Sequence, residues 1–202
     1  MSDTENVIKT RQGETITNPP IVRLMFADKR FAVVWLVVRV LLGLTWIQSA
    51  LPKLSDPAWM QTGEALKTFW LKAVVVPDPP ARPLIAFDWY RNFIQSMVDS
   101  GSYVWFAKLV AIGEFTIGLL LIVGAFVGVV AFIAAFMNWN YVMAGSASTN
   151  GLLIIAAILL VLAWKTAGYY GLDRFLLPWL GTPWRNRKQR QLELQRTRNL
   201  PA

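Results

Sequence analysis

The feature that most limits this chain is the stretch from Phe106 to Ala144, 39 residues in which Lys108 and Glu114 are the only charges. At 1.5 Å per residue a single helix of that length would reach about 58 Å, against about 30 Å of bilayer hydrocarbon, so the stretch must hold two spans. The reversal falls in Gly124, Ala125, Phe126, Val127 and Gly128, where two glycines permit a tight turn without a polar loop. Two more apolar runs, Phe31 to Leu51 and Gly151 to Tyr170, flank this pair. The first follows Lys29 and Arg30 and has no small-residue cleavage site after a short core, so it reads as a retained helix and not as a signal peptide. The expected fold is all-α: an integral membrane four-helix bundle over residues 31–175, with both termini on one side.

Composition agrees, since 55% of the residues are hydrophobic and 16% charged, whereas soluble domains carry about 25% charge. Cys and His are both absent. That excludes disulfides, thiolate and His-built metal sites, iron–sulfur ligation, a bis-His haem and a His general base within this chain. No metal site is expected. Any chemistry falls to carboxylates, Lys, Arg, Tyr and amides.

Loop charge sets the expected orientation. Residues after Tyr170 carry seven Lys/Arg against Asp173 and Glu193, whereas Pro52 to Trp105 carries five of each sign. The positive-inside rule then puts both termini in the cytoplasm and the loop 52–105 outside, as in a multi-pass protein of a plasma membrane. Residues 1–30 read as a cytoplasmic tail and 176–202 as a basic tail within reach of anionic headgroups; the bilayer is the expected partner, and nucleic acid is not. Within the loop, Ser55 or Asp56 followed by Pro57 is a helix-start signal for Ala58 to Val74. A second helix, Asp88 to Val98, sets Trp89, Phe93 and Met97 at spacing four. Both are expected to lie as interfacial amphipathic helices over the outer mouth of the bundle.

Polar residues within the spans mark the candidate site. Arg39 lies near the middle of the first span, where an arginine costs about 2.5 to 3.5 kcal/mol on insertion scales, and Glu114 is the only carboxylate in any span. Counted from the outer ends they differ in depth by four residues, roughly 6 Å, so an Arg39–Glu114 ion pair is expected, as a structural clamp or as the charged wall of a site. Asn138, Trp139, Asn140 and Tyr141 cluster on helix three. The two amides lie about 200° apart on a helix, so one is expected to face the ion pair and the other to crosslink helices. Lys53 and Lys108 are placed to snorkel, Asn150 to cap helix four, Lys165 to reach the inner interface, and Asp173 to pair with Arg174. The expected pocket opens toward the outer half of the bilayer, walled by Arg39, Glu114, Asn138 or Asn140 and roofed by the Trp59 to Trp89 region.

The order of these elements resembles the DoxX/DoxD family of membrane proteins: Arg39 to Gly43 and Lys53, then Gly113-Glu114-Phe115-Thr116-Ile117-Gly118, then Met137 to Ser146 with Asn150, then Gly171-Leu172-Asp173. The resemblance covers residues 31–175. It implies a prokaryotic four-helix membrane protein, one branch of which contains the quinone-reactive membrane subunit of thiosulfate:quinone oxidoreductase. It further implies that Arg39, Glu114, Asn138 and Asn140 line a central pocket, with Lys53 and Asn150 near its mouth. Three functions fit. One is a quinone-binding subunit of a redox complex, in which Arg39 or an Asn donates to a carbonyl, Glu114 handles a proton, and electrons come from a reduced sulfur compound or a partner. A second is a bundle that binds or transports a small solute or lipid; the third is a non-catalytic anchor of a respiratory or photosynthetic complex, alone or as a homo-oligomer.

Overall fold

The computed structural model describes residues 8–9, 15–16 and 19–179. The regular structure is helical apart from a short antiparallel pairing of β1, Ile8–Lys9, with β2, Thr15–Ile16, in register Ile8↔Ile16. Four apolar helices form the body: α2, Ala32–Ser55; α6, Tyr103–Val123; α7, Val127–Met143; and α8, Asn150–Leu162. Between and around them come α1, Pro20–Ala27; α3, Pro57–Met60; α4, Glu64–Ala73; α5, Asp88–Asp99; α9, Trp164–Ala167; and α10, Asp173–Trp179. α2 and α6 are long and apolar enough to cross a membrane, and α7 and α8 are shorter apolar helices. The fourth span is thus α8 and α9 in succession, with a break at Ala163, where the sequence suggested one continuous run.

Each large helix packs on two others, in the cycle α2, α6, α7, α8, and this gives the expected four-helix bundle. Its core contains Trp35, Leu42, Trp46, Leu121, Val127, Ala131, Ala157 and Leu160. α2 and α6 run antiparallel and touch backbone to backbone: a Cβ on Gly43 would come within 2.8 Å of the Gly118 carbonyl oxygen, and one on Gly118 equally close to that of Gly43. Small residues permit such an approach, which gains dispersion along the contact. This contact also fixes depth, because it sets Arg39 level with Gly124 and Ser49 and Lys53 level with Glu114.

One end of the bundle, the loop end, carries a second core built from Leu66, Trp70 and Ala73 of α4, Tyr90 and Ile94 of α5, Ile85, Ala107 and Ala144. The helix expected over Ala58 to Val74 is two helices. Gly63 breaks it at φ +72°, where a side chain would strike the Tyr103 carbonyl at 2.5 Å. Asp56 caps α3 by accepting from the Ala58 N–H at 2.8 Å. α5 forms where expected but is rotated: Tyr90 and Ile94 face the bundle, and Trp89 and Phe93 point outward with 59% and 49% of their surface exposed. Trp89 and Phe93 therefore form no roof, while Met97, the third residue at that spacing, packs on the second core.

At the opposite, tail end, part of residues 19–30 belongs to the fold. Trp35 Nε1 donates to the Met25 carbonyl at 2.7 Å, the Phe26 and Trp35 rings stack 5.5 Å apart, and the Thr166 hydroxyl donates to the Phe26 carbonyl. The glycine-rich reversal is where the sequence placed it. α6 ends at Val123, Gly124 adopts φ +73°, and α7 starts at Val127. The basic segment from residue 180 onward lies outside the described residues.

Candidate functional site

α2 presents Trp46, Ser49 and Lys53 at spacings of three and four, one stripe of a helix facing α6 and α7. α6 turns Glu114 toward that stripe, and the carboxylate is fully buried. Lys53 Nζ donates to both Glu114 oxygens, at 2.5 and 2.6 Å. Tyr141 on α7 donates its hydroxyl to Oε1 at 2.5 Å, and Ser49 donates to Oε2 at 3.2 Å. The ammonium also lies 5.0 Å from the Trp59 ring and 5.7 Å from that of Tyr141, so aromatic faces cover what the carboxylate leaves open. An ion in hydrocarbon is tolerable when every lone pair is matched, and Glu114 meets that condition with three donor groups.

The ion pair is therefore Lys53–Glu114, and the expected Arg39–Glu114 pair does not form. Arg39 sits fourteen residues earlier on the same helix, about 21 Å along its axis. Depth counted from the helix ends does not give the pairing, because the Gly43–Gly118 contact sets the register and brings Lys53, not Arg39, beside Glu114. α2 runs through Pro52 to Ser55, so Lys53 belongs to the helix and turns inward where snorkelling was expected. Arg39 is instead buried at the tail end, its Nη2 donating to the Tyr170 carbonyl at 3.3 Å. Its guanidinium is pressed against Gly124 and Gly171, where added Cβ atoms would lie 1.5 and 2.4 Å from Nη1. Asp173 stands beside it. That carboxylate accepts the Phe126 and Val127 N–H groups at 2.5 and 2.9 Å, so it caps α7 and does not form the expected local pair with Arg174. Burial pushes the Asp173 carboxyl above its ordinary range, against the lowering pull of those two N–H groups and of Arg39. Arg174 lies over the Tyr169 ring at 5.5 Å.

Beside the Glu114 cluster is a cavity of about 40 Å³ lined by Thr45, Trp46, Ser49, Asn138, Tyr141, Asn150 and Leu153. Two of its walls are unusual. Trp46 Nε1 and Asn138 Nδ2 are buried and have no hydrogen-bond partner among the described residues, although such donors normally find one. Thr45 and Ser49, on the flank of α2, are exposed, and Asn150 and Leu153 belong to the first turn of α8, so the cavity lies between α2, α7 and the start of α8. Asn150 holds its own position by donating to the Ser146 carbonyl at 2.6 Å.

Of the residues singled out in the sequence, Glu114, Lys53, Tyr141, Asn138 and Asn150 come together here. Arg39, Asn140 and Trp139 do not. Asn140 faces the other way, receiving the Tyr90 hydroxyl at 3.1 Å and donating to the Phe136 carbonyl at 2.8 Å, which makes it the crosslinking amide. Trp139 is 41% exposed and packs on Phe136 and Tyr90. Trp46, Ser49 and Thr45 were missed by sequence reasoning. Their one signal was the helical stripe they share with Lys53.

The family model DoxX matches residues 34–147, which include all but the first two residues of α2, the whole of α6 and α7, and the Lys53–Glu114–Tyr141 cluster. No curated protein and no solved structure matches the chain.

Proposed function

The chain belongs to the DoxX family, and from that premise we propose that it is the membrane subunit of a redox complex, whose lateral cavity receives one carbonyl of a quinone. The observation that carries this reading is the pair of unpartnered buried donors, Trp46 Nε1 and Asn138 Nδ2, on the wall of a cavity whose edge includes the exposed Thr45 and Ser49. A quinone dissolves in the bilayer and presents carbonyl oxygens that accept such hydrogen bonds. A cavity of about 40 Å³ admits the carbonyl edge. It is too small for the ring, since an aromatic ring needs about 150 Å³, so the ring lies in the mouth between Thr45, Ser49 and Leu153.

Reducing a quinone to the quinol takes two electrons and two protons. This chain has neither Cys nor His to hold a redox metal, so the electrons come from a substrate or a partner; the family resemblance implies a reduced sulfur compound such as thiosulfate. Tyr141 and Lys53 both carry protons on hydrogen bonds to Glu114, and Ser49 joins that cluster to the cavity. Their role is to hold and pass a proton within one hydrogen bond of the mouth.

Equilibrium dialysis of the purified full chain against a short-chain benzoquinone tests the site. Trp46→Phe and Asn138→Leu should each weaken binding about fivefold to tenfold, the value of one hydrogen bond, while Asn140→Leu leaves it unchanged. Equal affinity in all three variants, or no binding by the native chain, would leave the anchor function as the better account.

We also propose that both termini lie in the cytoplasm, on the loop-charge argument. The chain has no native cysteine, so Ser55→Cys, Asp99→Cys and Arg198→Cys give single labels. An impermeant thiol reagent on intact cells should modify the first two and spare the third. The opposite pattern would invert the topology.

A further inference from the structure

The cavity beside the Glu114 cluster has a chemical bias that its size alone does not give. The polar hydrogens of four lining residues are already engaged: Thr45 donates to the Leu41 carbonyl at 3.0 Å, Ser49 and Tyr141 donate to Glu114, and Asn150 donates to the Ser146 carbonyl. Trp46 Nε1 and Asn138 Nδ2 remain, both buried and both without an acceptor among the described residues. An indole nitrogen can only donate. A third positive feature is α8, a helix of 13 residues whose first-turn residues Asn150 and Leu153 form the adjoining wall. It starts without a side-chain cap from Thr149, so the partial positive charge at its N-terminus is left uncompensated by one. No acid lines the cavity, and the neighbouring Glu114 has its charge matched by Lys53 at 2.5 Å.

We infer that this cavity is an oxyanion hole, which holds an aromatic oxygen more tightly as a phenolate than as a neutral phenol. The inference rests on the carbonyl site proposed above and adds the charge state that the site prefers. A phenolate brings only lone pairs to two donors that have no other acceptor, whereas a phenol carries a proton of its own toward them. Volume agrees, because about 40 Å³ takes an oxygen and its first carbon, close to the roughly 30 Å³ that a water molecule occupies in the liquid. The ring stays outside, against Leu153. Burial strengthens the effect, since fixed donors and a helix N-terminus act on a charge far more strongly away from water than in it. Such a hole favours the negative charge that builds on an oxygen as electrons enter its ring, ahead of the proton held at Tyr141 and Lys53.

4-Nitrophenol is a direct probe, because its anion is yellow and its neutral form is not. The purified full chain in uncharged maltoside micelles is titrated with pH in the presence of the probe, beside empty micelles. The bound probe should ionise about one pH unit lower than in empty micelles, a roughly tenfold preference for the anion. Trp46→Phe and Asn138→Leu should each remove most of that shift, while Asn140→Leu, whose amide faces Tyr90, keeps it. Far-UV circular dichroism checks that each variant is folded, and if Asn138→Leu is not, the near-isosteric Trp46→Phe alone decides. A bound probe that ionises as it does in empty micelles, a shift that survives both Trp46→Phe and Asn138→Leu, or no binding of the probe would overturn the oxyanion hole. Quinone binding in the dialysis beside an unshifted probe would strike the charge preference and leave the carbonyl site standing, whereas failure of both ligands to bind would remove both.

Discussion

Lys53→Met is expected to destabilise the bundle by about 3 to 5 kcal/mol, because it leaves a fully buried carboxylate without its counter-charge. Ser49 and Tyr141 would still donate to Glu114, but two hydroxyls do not neutralise a charge in a low-dielectric site. Steric bulk is nearly unchanged between Lys and Met, so the effect is electrostatic. Adding Glu114→Gln should recover most of the stability, since a neutral amide facing a thioether carries no unpaired charge. A comparison within the same chain sharpens the test: Lys67 also pairs with a glutamate, Glu64, at 3.0 Å, but both groups are substantially exposed. Lys67→Met should therefore change stability by no more than about 0.5 to 1 kcal/mol. The measurement is reversible unfolding in mixed micelles, followed by helical signal. If the two lysine variants behave alike, or if Arg39 and not Lys53 shows energetic coupling to Glu114 in a double-mutant cycle, the ion pair assigned here is wrong.

A second large effect is expected at the tail end. Gly124→Ala combines a backbone penalty with a collision, because Gly124 holds φ +73° and the new Cβ would lie 1.5 Å from Arg39 Nη1. A left-handed residue other than glycine costs about 1 to 2 kcal/mol. The guanidinium cannot swing clear cheaply, being buried, and the new Cβ would also lie 2.9 Å from the Gly171 Cα. Displacing it would also break its bond to the Tyr170 carbonyl and draw it from Asp173, which caps α7. The sum should reach roughly 4 kcal/mol, in the range reserved for a strained or repacked core. Gly101 provides the control, since it holds φ +69° with nothing within 4 Å of an added Cβ. Gly101→Ala should show the backbone penalty alone. Equal losses at the two glycines would mean that the Arg39 packing contributes nothing.

Much of this architecture was legible because hydrophobic length and glycine turns are local properties. The two spans within residues 106–144, the reversal at Gly124 and the α5 helix follow from counting and turn chemistry. Partner choice between helices is not local. Depth counted from the ends of the spans pairs Arg39 with Glu114 and leaves Lys53 to the headgroups, whereas α2 continues through Pro52 to Ser55 and turns Lys53 inward onto Glu114. The Gly43–Gly118 contact, which sets that register, is invisible until both helices are placed together. The faces of Asn138 and Asn140 were correctly predicted to differ, and the Tyr90 hydroxyl that decides between them comes from a loop helix fifty residues away. Trp46 looked like ordinary span material. Only its indole N–H, left without a partner, distinguishes it.

The exposure of Thr45 and Ser49 on the flank of an apolar helix changes how any occupant of the cavity should be counted. A molecule that arrives from the membrane is concentrated there by partitioning, so its driving force is its mole fraction in lipid and not its molarity in the surrounding buffer. Diluting proteoliposomes with buffer would leave occupancy unchanged, whereas adding empty lipid at fixed buffer volume would drain the site. Occupancy is then set by the membrane's own pool, and an inhibitor's potency would scale with its solubility in hydrocarbon as much as with its fit to Trp46 and Asn138.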